Sequence, residues 1–197
     1  MVPDWFYRKC EIDNELLTAI QTELTPAIEQ LVPGYAEIRG QFARTDLAKV
    51  KQLSPSLVKF INSLGLLDRW TDVSIITANN QHSFRWPIHI DDNTFGRCIA
   101  LNIPVLNCQY SYTAWYESSE PVKSSADPKS LNGAESYSLY YADDKSQEVE
   151  RMDANQCAFI NVGRPHRPIV KHNLPRVLIS ARFSPELFDY FGNSNYC

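Results

Sequence analysis

Val73-Ser74-Ile75-Ile76-Thr77 is where the chain changes its grammar from helix to strand. Its β-branched side chains favour extended backbone. Downstream, Arg97 to Leu106 alternates, with Arg97, Ile99, Leu101, Ile103 and Val105 on one face. Further strands are expected at Tyr110 to Tyr116, Ser136 to Tyr141, Cys157 to Val162 and Arg176 to Phe183. Several short strands separated by turn residues predict a sandwich, a barrel or a jelly roll. Between two of them, Glu117 to Glu135 is rich in Ser, Pro, Asp and Lys and reads as a long surface loop, a possible lid or a tolerated insertion.

Upstream of Val73 the pattern is helical. Leu17, Ile20, Leu24, Ile28 and Leu31 recur at three- and four-residue steps and form one apolar stripe. Thr25-Pro26 interrupts that stripe, either as the cap and first residue of a second helix or as a kink, and Pro33-Gly34 ends it. Ser54-Pro55 opens another helix that carries Val58, Ile61 and Leu64 inward. The expected architecture is a mainly β chain with N-terminal helices, a single domain over 1–197. Residues 1–70 pack as a helical part on the sheet, and 71–188 form the core.

Composition narrows the function. The chain has 197 residues, enough to build a core without staples. A formal charge of −4 offers no basic footprint, so no nucleic-acid partner is expected. No apolar run approaches the roughly 20 residues of a membrane helix, and no signal peptide is evident, so a cytoplasmic protein without a membrane partner is expected. The five cysteines (Cys10, Cys98, Cys108, Cys157, Cys197) show no CxxC spacing and read as small buried hydrophobes in a reducing compartment. No Gly-rich phosphate loop is present.

Chemistry concentrates at His89-Ile90-Asp91. On a strand, residues i and i+2 face the same way, so an imidazole and a carboxylate project together. That is two-thirds of a facial triad of two His and one carboxylate, which holds Fe(II) on one side and leaves the other open. His166 supplies the third candidate, after the apolar strand Ala158-Phe159-Ile160 and a Gly-Arg-Pro turn. Ten residues on, Arg176 heads Arg176-Val177-Leu178-Ile179-Ser180-Ala181-Arg182-Phe183, with Arg176, Leu178 and Ser180 on one face. An arginine pointing into an apolar barrel needs an anion, and its planar fork matches a carboxylate.

His89-x-Asp91, His166 and Arg176 together resemble the Fe(II)- and 2-oxoglutarate-dependent oxygenases, which are built on a double-stranded β-helix, a cupin-like jelly roll. Within these the chain looks most like the aspartyl/asparaginyl β-hydroxylase-like group, through Arg97-Cys98-Ile99-Ala100-Leu101-Asn102-Ile103-Pro104 and through Ser184-Pro185-Glu186-Leu187 after the final strand. The resemblance implies that His89, Asp91 and His166 ligate iron and that Arg176 binds the distal carboxylate of 2-oxoglutarate, with Ser180 beside it. It also implies that Arg97 contacts substrate or cosubstrate. Trp86 and Arg164 are further candidates for the substrate side. The substrate would be a small molecule or a peptide, oxidised with O2 to release succinate and CO2. Two other classes stay open: a cupin-type metal enzyme that does not use 2-oxoglutarate, and a non-catalytic jelly roll that binds or assembles. His82 and His172 are expected in exposed loops. Asp92 is expected to be solvated or to support a ligand, and Arg182 to face solvent at its strand's end. Arg167 is expected at an anionic substrate or in a surface ion pair, and Trp115 and Tyr116 in the core or lining a pocket.

Overall fold

The computed structural model of the chain describes residues 4–35, 41–78, 87–91, 98–118, 123–127, 136–183 and 191. Among the described residues, twelve strands form two six-stranded antiparallel sheets. The first runs from edge to edge through Tyr7–Lys9 (β1), Ala158–Asn161 (β10), Ile99–Leu106 (β5), Arg176–Phe183 (β12), Trp70–Ala78 (β3) and Gln41–Thr45 (β2). The second runs through Lys123–Asp127 (β7), Ser136–Tyr141 (β8), Ile88–Ile90 (β4), His166–Val170 (β11), Ser111–Ser118 (β6) and Ser146–Asp153 (β9). The chain alternates between layers: β3, β5, β10 and β12 lie in the first sheet, and β4, β6 and β11 in the second. That is the expected jelly roll.

The helices cover the outer face of the first sheet. Asp13 caps Asn14–Leu24 (α1) by accepting from the Glu15 and Leu16 amides, which are two of the donors a helix start leaves unpaired. Thr25-Pro26 opens a single 3-10 turn that continues into Ile28–Leu31 (α2), and Thr25 is the C-cap of α1, its amide donating to the Gln21 carbonyl, rather than the N-cap of a second helix. After Leu47–Leu53 (α3), Ser54 caps Pro55–Ser63 (α4) through the Leu57 amide. The Ser54 hydroxyl also donates to Glu23 at 2.6 Å, which ties α4 to α1. Ile20, Leu24, Leu57, Phe60 and Ile61 then pack against Ile75, Leu101, Ile103, Val177 and Ile179 in the main core. A smaller cluster, Ala100, Trp115, Met152, Ala158, Ile160 and Val162, joins the two sheets.

The alternation read at Ile99, Leu101, Ile103 and Val105 is that of the helix-facing side, since all belong to the main core. By the same parity Ala100 and Asn102 face the second sheet. On β12, Val177, Ile179 and Ala181 pack toward the helices, so Arg176, Leu178, Ser180 and Arg182 turn toward the second sheet.

Two expectations need correction. Glu117 to Glu135 is not one surface loop: β6 continues to Ser118, and Lys123–Asp127 is a strand paired with β8. The Ser- and Lys-rich composition matches an edge strand, where polar residues discourage further pairing. His172 is not an exposed loop residue. It is half-buried, and its Nε2 lies 2.9 Å from the Asn107 carbonyl. Asn107 and Tyr110 both adopt positive φ in the β5–β6 turn, so this contact and the 3.0 Å bond from Asn107 Nδ2 to the Pro175 carbonyl brace a strained turn. Cys10, Cys98, Cys108 and Cys157 are buried, whereas Cys197 and His82 lie outside the described residues. Among the described residues no helix is long and apolar enough to cross a membrane.

Central burial on β12 makes a direct test of this packing. Ile179→Ala is expected to lower unfolding stability by about 2–5 kcal/mol, and Leu174→Ala, at an exposed site, by less than about 0.5 kcal/mol; denaturant midpoints measure both.

Candidate metal centre

Backbone register brings the site together before any side chain does. On the second sheet His166 lies directly opposite His89, and His89 opposite Tyr140. His166 is flanked on its other side by Trp115. Residues opposite one another in an antiparallel pair share a face, with Cβ atoms about 4.5–5.5 Å apart. Tyr140, His89, His166 and Trp115 therefore form one row across four strands. The two imidazoles sit with centroids 4.5 Å apart. Trp115 is completely buried and donates its indole N–H to the Asn161 carbonyl, which closes that end of the row.

Asp91 follows β4 immediately, and its amide donates to the Val162 carbonyl at 2.9 Å. That bond carries the extended backbone one residue past the ladder and keeps Asp91 on the face of His89. Asp91 Oδ1 is 3.6 Å from His89 Nε2. One ligand atom each from His89, Asp91 and His166 lie within 4.8 Å of one another. The other ring nitrogens are already committed: His89 Nδ1 lies 2.9 Å from the Pro87 carbonyl and His166 Nδ1 3.0 Å from the Arg164 carbonyl. A carbonyl only accepts, so each Nδ1 carries a proton and each Nε2 is the nitrogen left for the site. Main-chain carbonyls thus orient the imidazoles, the role that hydrogen-bonding partners play around metal-bound histidines.

Charge at the site is balanced by a residue expected to face solvent. Arg182 is buried, and its Nη2 donates to Asp91 Oδ2 at 2.5 Å. It is covered because β12 is a central strand with the helices on one face and the second sheet on the other. Its position near the strand end gave no hint of that. Burial alone raises the Asp91 carboxyl, but the Arg182 guanidinium and the two imidazoles outweigh it and hold the group below the ordinary carboxylate range. For His166, burial and the neighbouring His89 push the imidazole down to about 4, so it stays neutral at physiological pH.

Arg176 is 1% exposed, and its Nε and Nη1 have no hydrogen-bond partner. Burial lowers its pKa, and among the described residues no carboxylate pairs with it. Leaving such donors unmet costs about 1–3 kcal/mol each, more when charged. The Ser180 hydroxyl is likewise buried and unpartnered, as are the Ser74 hydroxyl and Asn102 Oδ1. Ser74 and Asn102 lie opposite Ser180 on the two neighbouring strands. A row of unmet polar atoms therefore crosses three strands on the face turned toward the metal-ligand candidates. Ser74 and Asn102 escaped the sequence reading, although their parity with Ser180 becomes readable once the strand pairing is known.

Arg164 stacks over the Phe6 ring, 4.8 Å from its centroid. Arg167 points away from His166 and binds Asp143 at 2.8 Å and the Tyr116 hydroxyl at 3.1 Å, the ion-pair alternative. Trp86, Asp92 and Arg97 lie outside the described residues.

No protein-family model matches the sequence, and no curated protein does. The fold is shared with HygX from Streptomyces hygroscopicus, a structure with nickel and 2-oxoglutarate bound. The two are 10% identical, with a TM-score of 0.53 over 91% of this chain and 81% of that one. Looser likenesses include a Pseudomonas putida prolyl-4-hydroxylase, 14% identical over 90% of each chain with a TM-score of 0.40. Another is SnoN, a non-heme α-ketoglutarate-dependent epimerase from nogalamycin biosynthesis, 12% identical over 88% of this chain and 75% of that one, TM-score 0.47.

The depressed His166 imidazole has a consequence for metal-free protein. The unfolded chain takes up this proton near the ordinary value of 6.5 and the folded protein only near 4. Stability is therefore complete above about pH 6.5 and declines as pH falls toward 4, because the unfolded state binds more protons in that window. Thermal melts of the metal-free protein are expected to show this loss, and His166→Asn a flatter slope between the same limits. Asp91 adds its own loss only below its ordinary 3.8.

Proposed function

We propose that the chain is an Fe(II)- and 2-oxoglutarate-dependent oxygenase, with His89, Asp91 and His166 as metal ligands. Arg176, supported by Ser180, receives the far carboxylate of the cosubstrate. One observation carries this reading: a fully buried guanidinium with two unmet donors on a strand that also reaches the His–Asp–His cluster through Arg182. A buried cation without a partner is expensive unless an anion completes it, and a carboxylate fits its planar fork. A cupin-type enzyme without 2-oxoglutarate would give Arg176 nothing to bind. A purely structural jelly roll would need neither the arginine nor the cluster.

The donor set suits Fe(II): two neutral imidazoles and one carboxylate, oriented by main-chain carbonyls and charge-balanced by an arginine. Bound there with 2-oxoglutarate and O2, the iron would supply oxidative decarboxylation, releasing succinate and CO2 while a substrate C–H bond is oxidised. The chain's own residues do the rest. His89 and His166 hold their lone pairs in one direction because each Nδ1–H is tied to a carbonyl. Leu178, between Arg176 and Ser180 on the same face of β12, gives an apolar bed to a short methylene chain. Trp115 seals one end of the ligand row from water, and the half-buried Tyr140 stands at the other. A small molecule or a peptide is the substrate class this reading favours. The finer kinship with the aspartyl/asparaginyl β-hydroxylase-like group rests on segments at Arg97 and at Ser184 to Leu187.

Anaerobic addition of Fe(II) and 2-oxoglutarate tests the proposal through the metal-to-ligand charge-transfer band of a chelated 2-oxo acid. The parent protein is expected to form the band, His89→Ala to lose it, and Arg176→Leu to need on the order of 100-fold more 2-oxoglutarate, since breaking a buried charged contact costs about 3 kcal/mol. A folded parent with no band, or Arg176→Leu with unchanged affinity, contradicts it.

A further inference from the structure

We infer that Arg182 is the positioning residue of this metal centre, holding Asp91 as a ligand through one oxygen only. The inference rests on the metal-site reading above but not on the identity of the cosubstrate. Asp91 Oδ2 is taken by Arg182 Nη2 at 2.5 Å, whereas Oδ1 is the oxygen turned toward His89 Nε2 at 3.6 Å. With one oxygen spent on a guanidinium, the carboxylate has a single oxygen to offer a cation. The arrangement is built rather than incidental. Arg182 is 8% exposed, sits in a central strand, and has Asp72 opposite it in the β3 register. Removing one partner of a buried ion pair is strongly destabilising, so the Arg182–Asp91 contact is mutually enforced.

The consequence is a count of coordination positions. Two imidazoles and a one-oxygen carboxylate would hold three positions of a six-coordinate ion and leave three outside the protein. A carboxylate free to swing to two-oxygen coordination would leave two, which a chelating 2-oxo acid alone would fill. Arg182 prevents that swing by making the second oxygen an acceptor in a charge-assisted bond. Strand β12 thus serves the centre twice, with Arg176 aimed at the anion and Arg182 at the ligand. Because Arg182 acts through Asp91, it positions and does not itself meet the metal.

Mn(II) binding, followed by electron paramagnetic resonance of the free ion, tests this without any cosubstrate. Arg182→Met is expected to weaken Mn(II) binding by about 10–100-fold, the usual effect of removing a partner behind a ligand. Arg182→Lys, which restores a cation, is expected to move affinity back toward the parent. Circular dichroism checks that the variants are folded, and Arg182→Gln takes the place of the methionine variant if that does not fold. Weakening beyond twofold supports the inference; a folded Met or Gln variant that binds Mn(II) within twofold of the parent overturns it. On Fe(II)-saturated protein the charge-transfer band is also expected to weaken in Arg182→Met. If the parent forms no band while the variant still loses Mn(II), the positioning role stands and the oxygenase reading falls. If the parent forms the band and the variant binds Mn(II) normally, the reverse holds.

Discussion

The antiparallel register that sets His166 opposite His89 is the constraint on which the site depends. A slip of one residue would send one imidazole to the far face of the sheet, because side chains alternate with period two. That register is held from both sides: β11 is also laddered to β6 over five residue pairs, and β4 to β8 over three. Asp91 is then placed by one further bond, from its amide to the Val162 carbonyl. Two sequence-distant histidines and a carboxylate thus converge through backbone pairing alone.

Electrostatics completes what the register begins. Asp91 is half-buried, and Arg182 supplies a compensating cation from the opposite sheet. The same strand carries Arg176, whose unmet donors are the clearest unpaid demand among the described residues. Two arginines of one parity on one strand therefore behave differently. One is paired with a protein carboxylate, and the other has no carboxylate partner among the described residues. That asymmetry is what favours the proposed ligand-binding role over a purely structural one.

Much of this was legible in the sequence because it depends on local parity. His89 and Asp91 share a face by spacing, as do Arg176 and Ser180, and alternation on β5 grouped Ile99, Leu101, Ile103 and Val105, which the structure places under the helices. What escaped was set by neighbours in space. Ser146–Asp153 is a strand at the edge of the second sheet, and its polar SQEVERMD sequence gives no apolar signal. Lys123–Asp127 was hidden in a loop-like composition for the same reason. Arg182 looked exposed because nothing local says that a strand is covered on both faces. Ser74 and Asn102 became visible only through their pairing with Ser180.

A crystal structure of the protein with Mn(II) and 2-oxoglutarate, prepared without oxygen, tests the central claim most directly. The predicted result is a metal bonded to Nε2 of His89, Nε2 of His166 and Oδ1 of Asp91, with the far carboxylate of 2-oxoglutarate on the Arg176 guanidinium. Metal bound away from these three side chains, or a carboxylate that leaves Arg176 Nε and Nη1 unmet, would contradict it.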